Sequence, residues 1–130
     1  ILIYKLNKVN IGFCGISFKP NTDDIRNSPL IILIKRLKDK KLSYQNKFNI
    51  SILDNDAALI NYSKDTGLED IIVKDIKELQ EINDVVILGP YKISNTDIVK
   101  ILDNNIYVID LKWHRIDESI KKHSNYHTLV

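Results

Sequence analysis

Short apolar runs alternate with longer amphipathic segments along most of this chain. The apolar runs predict β-strands at residues 8–18, 48–53, 71–73, 84–88 and 107–111. Between them, apolar residues recur at helical spacing and predict helices over residues 29–41, 56–63, 76–82 and 95–102. Residues of the types that cap helices precede three of these segments: Ser28, with Pro29 at the first helical position, Asp75, and Ser94 or Asn95. After Lys112 the chain is polar and weakly patterned, so we expect an irregular end.

The alternation of strands and helices predicts an α/β fold. We expect a three-layer, Rossmann-like parallel sheet of about five strands with helices on both faces. Right-handed crossovers then give the strand order 3-2-1-4-5. In that order the first and fourth strands are neighbours where the winding direction reverses, and ligands bind beyond their C-terminal ends. Residues 18–28 and 89–92 are expected to meet at this point.

The connection after the first strand is unusually long and charged. It lies in the stretch GISFKPNTDDIRNSP, residues 15–29. Lys19 suits a phosphate, and the planar fork of Arg26 suits a phosphate or a carboxylate. Composition leaves a second interpretation open, in which Asp23 and Asp24 pair with Arg26 merely to hold the loop. The preceding GFCG lacks the GxGxxG spacing, which argues against cofactor binding in the ordinary Rossmann manner.

Composition limits the function classes. The 130 residues are 44% hydrophobic and 28% charged, as in a single globular domain. The net charge of +2 is too small to argue for nucleic-acid or membrane binding. A single cysteine excludes a disulfide framework and favours a reducing compartment, so we expect a cytoplasmic protein. No apolar run approaches the ~20 residues that span a bilayer. The absence of methionine leads us to expect a fragment of a longer protein.

Other reactive side chains are interpreted as structural. Cys14 stands between apolar residues, so we expect a buried packing residue rather than a nucleophile. His114, His123 and His127 are expected to face solvent, because no carboxylate or thiol completes a metal site with them. Trp113 is expected to cover the end of the sheet, although it could stack on a base.

The motif GISFKPNTDDIRNSP resembles the start of the C-terminal, nucleotide-binding domain of the UDP-glucose and GDP-mannose dehydrogenases. The likeness continues through NDVVILGPYK and VIDLKW and covers residues 8–113. Such enzymes oxidise the C6 alcohol of a nucleotide-sugar to a carboxylate in two NAD-dependent steps, through a cysteine thiohemiacetal. They serve surface polysaccharide synthesis.

The resemblance also implies how the chain is organised. Residues 1–7 would be the remnant of a connection from a central helical domain, residues 8–116 the nucleotide-sugar-binding domain, and residues 117–130 a C-terminal tail. NAD would be held mainly by an N-terminal domain, and the full-length protein would be a homodimer. The catalytic cysteine and its assisting groups belong to the other domains, so this chain alone would contain no catalytic residue.

The resemblance assigns roles to the charged loop. Phe18 and Lys19 match a Phe-Lys pair that contacts the nucleotide-sugar. Arg26 matches an arginine that reaches the NAD bound by the other domain, and Asp23 and Asp24 would shape the loop.

Lys112 falls where many members of the family have an arginine near the sugar nucleotide. A lysine there has the same positive charge but lacks the planar guanidinium group that can form two parallel hydrogen bonds. The motifs fit UDP- and GDP-type enzymes alike, and we favour UDP because that subgroup is the more frequent. An alternative of another class is a non-catalytic Rossmann-like module for regulation or assembly, with the charged loop as a protein interface.

Overall fold

The computed structural model describes residues 9–17, 28–43, 48–66 and 71–128. Strands and helices alternate along them, which confirms the predicted α/β class. In chain order the elements are β1 (Val9–Cys14), α1 (Pro29–Ser43), β2 (Phe48–Leu53), α2 (Asp56–Thr66), β3 (Ile71–Ile72), α3 (Ile76–Ile82), β4 (Val85–Leu88), α4 (Asn95–Asp103), β5 (Tyr107–Asp110), α5 (Glu118–Lys121) and β6 (Tyr126–Thr128).

The strands form one six-stranded parallel sheet in the order β3-β2-β1-β4-β5-β6. The predicted order of the first five strands is confirmed. The sixth strand was not predicted, because it is only three residues long and two of them are exposed, so it carries no apolar pattern. In the described part of the expected tail, α5 and β6 are regular elements, and β6 extends the sheet beyond β5.

Helices pack on both faces of the sheet. The first apolar core lies between α1, α2 and one face, where Ile34 and Tyr62 meet Phe13. The second lies between α3, α4, α5 and the opposite face, where Leu79 and Ile101 meet Cys14, Val86 and Val108 in a cluster of buried residues. Among the helices of the described ranges, none is both long and apolar enough to cross a bilayer.

The predicted caps of two helices are confirmed. Asp75 precedes α3, and its Oδ1 accepts a hydrogen bond from the Glu78 amide at 2.8 Å. The Glu78 carboxylate in turn accepts from the amide of Lys74 at 3.0 Å. Ser94 caps α4 by accepting from the Asp97 amide at 3.1 Å. Each bond satisfies an amide that has no partner within the helix.

Strand β1 is shorter than its apolar run predicts, since it ends at Cys14. The cause is Gly15, whose φ of 100° lies in the left-handed region that glycine enters without steric cost. Its amide still donates to the carbonyl of Leu53 at 2.8 Å, and the chain then turns away from the sheet. Ile16 and Ser17 are therefore buried as the first residues of a loop.

A buried polar contact holds α3 against the sheet. The Asn83 side chain, at the end of α3, donates to the Leu79 carbonyl at 2.7 Å and accepts from Ser51 Oγ at 2.9 Å. Gly12 of β1 lies directly beneath it. A Cβ at this position would be 2.5 Å from Asn83 Nδ2 and 2.8 Å from Leu79 Cδ1. The absence of a side chain at Gly12 thus allows the amide to approach the strand.

We predict that Gly12→Ala lowers the free energy of unfolding by about 1–3 kcal/mol, because the methyl group overpacks the Asn83 contact. Urea unfolding of the chain measures this. The matched comparison is the same glycine substitution in an Asn83→Ala background, where the added methyl should cost less. Equal costs in the two backgrounds would contradict the explanation.

Candidate functional site

Four parallel strands end at one level. Cys14 of β1 lies opposite both Leu53 of β2 and Leu88 of β4, and Leu88 lies opposite Asp110 of β5. The segments that follow these strands therefore gather at one edge of the sheet, which we call the carboxyl edge. From this edge β1 leads to α1 on one face and β4 leads to α4 on the other. The connections after these two neighbouring strands thus lead to opposite faces of the sheet. The ligand-binding position was predicted at such a point.

Asp54 anchors the start of the long loop. It directly follows β2, and its Oδ2 accepts from the amides of Ile16 at 2.7 Å and Ser17 at 3.3 Å. The same oxygen accepts from Ser17 Oγ at 3.1 Å. A carboxylate that receives several donors holds the backbone more firmly than a neutral acceptor does. The first residues of the loop are therefore fixed to the neighbouring strand.

Ser28 closes the loop at its other end. It immediately precedes α1, as predicted, and its hydroxyl donates to the carbonyl of Ile16 at 2.6 Å. This bond ties the first turn of α1 to the end of β1 across the whole connection. The residues assigned to the charged loop lie outside the described residues, and their roles stay predictions: Phe18, Lys19, Asp23, Asp24 and Arg26.

The glycines that follow β1 and β4 lie close against the protein backbone. A Cβ on Gly15 would lie 2.5 Å from the Tyr91 amide nitrogen, and one on Gly89 would lie 2.6 Å from the Gly15 carbonyl oxygen. The Tyr91 amide donates to the Cys14 carbonyl at 3.3 Å. The segments after β1 and β4 thus fill the space over each other's glycines.

Two lysines lie at the carboxyl edge. Lys112 lies two residues after β5 and Lys92 follows β4, and both side chains are exposed. Neither forms an ion pair with another of the described residues. Two nearby carboxylates, Asp54 and Asp110, already accept hydrogen bonds from the protein. The ammonium groups are thus available to an anion.

The expectation that the histidines face solvent is wrong for two of them. His114 is half-buried, and its Nε2 lies 2.7 Å from the carbonyl oxygen of Gly89, so it joins the segments after β5 and β4. His123 is also half-buried, and its Nδ1 accepts from the amide of Asn125 at 3.0 Å. His127 is exposed and stacks on Tyr107. In the described ranges, no group of three or more histidine, cysteine or acidic residues forms a metal site.

Trp113 lies next to Lys112 at the carboxyl edge and is 38% exposed. This exposure leaves part of the indole open to solvent. A planar ligand at this edge could stack on it.

The predicted burial of Cys14 is confirmed, since its side chain is fully buried and its Sγ donates to the carbonyl of Tyr91 at 3.8 Å. Burial, followed by the nearby charges of Asp54 and Asp97, raises the pKa of the thiol to about 12. A thiol in such surroundings is a poor nucleophile.

The sequence interpretation missed Asp54 and His114 as parts of this edge. A signal for Asp54 existed, because an acidic residue directly after a predicted parallel strand must lie at the carboxyl edge. His114 offered no such signal, since its partner is a main-chain carbonyl that is 25 residues away in sequence.

Comparison with known proteins identifies the family. A family model described as "UDP-glucose/GDP-mannose dehydrogenase family, UDP binding domain" matches residues 12–125. The chain belongs to this family. The match confirms the resemblance noted in the sequence. The matching region begins within β1 and includes every later element through α5. No curated protein sequence gives a significant match.

Three solved structures show the same fold. A GDP-mannose dehydrogenase from Pseudomonas aeruginosa is 23% identical with a TM-score of 0.68, and the match covers 98% of this chain and 29% of that one. A UDP-glucose dehydrogenase from Pyrobaculum islandicum is 19% identical with a TM-score of 0.62, covering 94% and 25%. The WlbA dehydrogenase from Chromobacterium violaceum, solved with NADH and UDP-GlcNAcA, is 14% identical with a TM-score of 0.50, covering 82% and 28%.

The chain therefore spans between a quarter and three tenths of the length of these dehydrogenases. At such identities the likeness shows the fold alone. Membership of the family is shown by the match to the family model.

We predict that Asp54→Ala lowers the free energy of unfolding by about 1–3 kcal/mol, because three donors of the loop lose a charged acceptor. Urea unfolding measures the change. Asp103→Ala is a matched control, since Asp103 is exposed at the end of α4, and it should change stability by less than about 0.5 kcal/mol. Similar effects of the two substitutions would contradict the anchoring role.

We predict that Cys14 reacts at least about a hundredfold more slowly with Ellman's reagent in the folded chain than in concentrated urea, near pH 8, because burial suppresses its thiolate. The rate of absorbance change measures the reaction. Comparable rates in the two solutions would show that the thiol is accessible in the folded protein.

Proposed function

We propose that this chain is the C-terminal nucleotide-sugar-binding domain of an NAD-dependent nucleotide-sugar 6-dehydrogenase, with a UDP-sugar as its substrate. Family membership supports the proposal. The observation that carries it is the carboxyl edge, where an anchored loop begins beside β4 and two lysines without a partner among the described residues lie at the ends of β4 and β5. A diphosphate is the ligand that such an edge would attract.

In this proposal the domain acts by positioning. Lys112, together with Phe18 and Lys19 of the loop, binds the nucleotide of the substrate. Binding energy from this remote part of the substrate holds the sugar C6 in place for groups outside this chain. Water and competing anions are displaced from the ammonium groups when the diphosphate binds.

NAD would be held mainly by another domain of the full-length enzyme, as the family resemblance implies. Arg26 would reach toward that cofactor from the loop. We further propose a cytoplasmic homodimer that supplies sugar uronates for surface polysaccharide. These features follow from the family resemblance, and no step of the chemistry is assigned to the residues of this chain.

We predict that UDP and UDP-glucose bind the chain and change the fluorescence of Trp113, its only tryptophan. Lys112→Ala should weaken UDP binding about tenfold or more, because a charge-assisted contact contributes about 1.5–3 kcal/mol. Fluorescence titration and calorimetry measure the affinities. Lys100→Ala is the matched control, since Lys100 is exposed in the last turn of α4, far from the carboxyl edge, and it should leave UDP affinity unchanged.

Other results of these titrations would change the proposal. Tighter binding of GDP than of UDP would mean that the substrate is a GDP-sugar rather than a UDP-sugar. Absence of binding by UDP, GDP and their sugars would favour the non-catalytic regulatory or assembly module. An unchanged affinity of Lys112→Ala would remove Lys112 from the site.

A further inference from the structure

Lys112 has an unusual backbone conformation. Its φ is 67°, in the left-handed region that residues with a side chain rarely adopt. Such a conformation persists only where surrounding contacts impose it. Because Lys112 is exposed and lies two residues beyond β5, packing around its own side chain cannot supply those contacts.

The carboxylate of Asp110 supplies one of them. Asp110 is the last residue of β5 and only 3% exposed. Its Oδ1 accepts from the Lys112 amide at 2.8 Å, which bends the chain back over the end of the strand. The bond fixes the direction in which the chain, and with it Lys112, leaves the sheet.

The orientation of this carboxylate depends in turn on β6. The hydroxyl of Tyr126 donates to Asp110 Oδ2, and Thr128 Oγ1 donates to the Asp110 carbonyl at 3.2 Å. Burial and the hydrogen bond to Asp110 raise the pKa of Tyr126 above the ordinary tyrosine value, so the phenol remains a donor at neutral pH. Among the described residues, no lysine or arginine forms an ion pair with Asp110. Without Tyr126, one buried oxygen would lose this partner.

We propose that Tyr126 and Asp110 are positioning residues for Lys112, and so for the nucleotide diphosphate that Lys112 binds. Tyr126 fixes one oxygen of Asp110, which directs the other oxygen to the Lys112 amide. The short C-terminal strand thereby contributes to ligand affinity without touching the ligand. This inference rests on the proposed function for its ligand, while the linkage among the three residues exists without one.

The linkage is tested first in the chain without ligand. Tyr126→Phe removes only the hydroxyl, so Asp110 should turn more freely and the Lys112 amide should exchange with solvent at least about fivefold faster. Tyr107→Phe is the matched control, because Tyr107 lies on β5 and its ring contacts His127 rather than Asp110. An unchanged exchange rate in Tyr126→Phe, measured by NMR, would overturn the proposal.

Ligand affinity is tested by a double-mutant cycle with UDP. Tyr126→Phe should weaken UDP binding about three- to tenfold in the unaltered chain and have almost no effect in a Lys112→Ala background. Equal weakening in both backgrounds would mean a general structural role and would overturn the positioning role. Circular dichroism checks that every variant is folded at the temperature used. If the unaltered chain binds no nucleotide, the proposed function fails, while the exchange experiment still decides the linkage.

Discussion

The pairing of β1 with two neighbours in register is the constraint on which the rest of the structure depends. β1 is hydrogen-bonded to β2 on one side and to β4 on the other, so its last residue sets the level at which both neighbours end. Alternate residues of β1 face opposite helical layers, as Phe13 and Cys14 do. A slip of one residue would exchange these faces and bury the wrong side chains in both layers. The register of β1 therefore determines both where the carboxyl edge lies and which side chains enter each core.

Different kinds of contact hold the helices on the two faces of the sheet. The layer that contains α1 and α2 packs through a cluster of apolar side chains. The opposite layer adds polar contacts, with Asn83 beside Gly12 of β1 and Asp110 beside Tyr126 of β6. A buried polar group without a partner is costly, and in the described ranges every buried side-chain nitrogen and oxygen has one. These contacts fix where α3 and β6 sit more narrowly than apolar packing would.

Prediction from sequence succeeded where burial imposes a pattern. The central strands and the capped helices follow from runs of apolar residues and from single polar residues before them, because each signal is local. The sequence interpretation failed where a residue acts through a distant partner. Ser28 directly precedes α1 as predicted, but the sequence does not show that its hydroxyl donates to the carbonyl of Ile16. The bonds of Asp54 likewise appear only once β2 lies beside β1. The left-handed conformation of Lys112 could not be foreseen, since lysine rarely adopts it and the Asp110 carboxylate that accepts its amide is itself bonded to Tyr126 of β6.

The anchoring of the long loop at both ends has a thermodynamic consequence. The bonds from Ile16 and Ser17 to Asp54, and from Ser28 to Ile16, hold the two ends of the connection together in the folded domain. Closing a connection costs entropy that grows slowly with its length, by about 0.6 kcal/mol for each doubling. The anchoring bonds offset this cost within the domain itself, so it is not subtracted from the binding free energy of any ligand that the connection contacts.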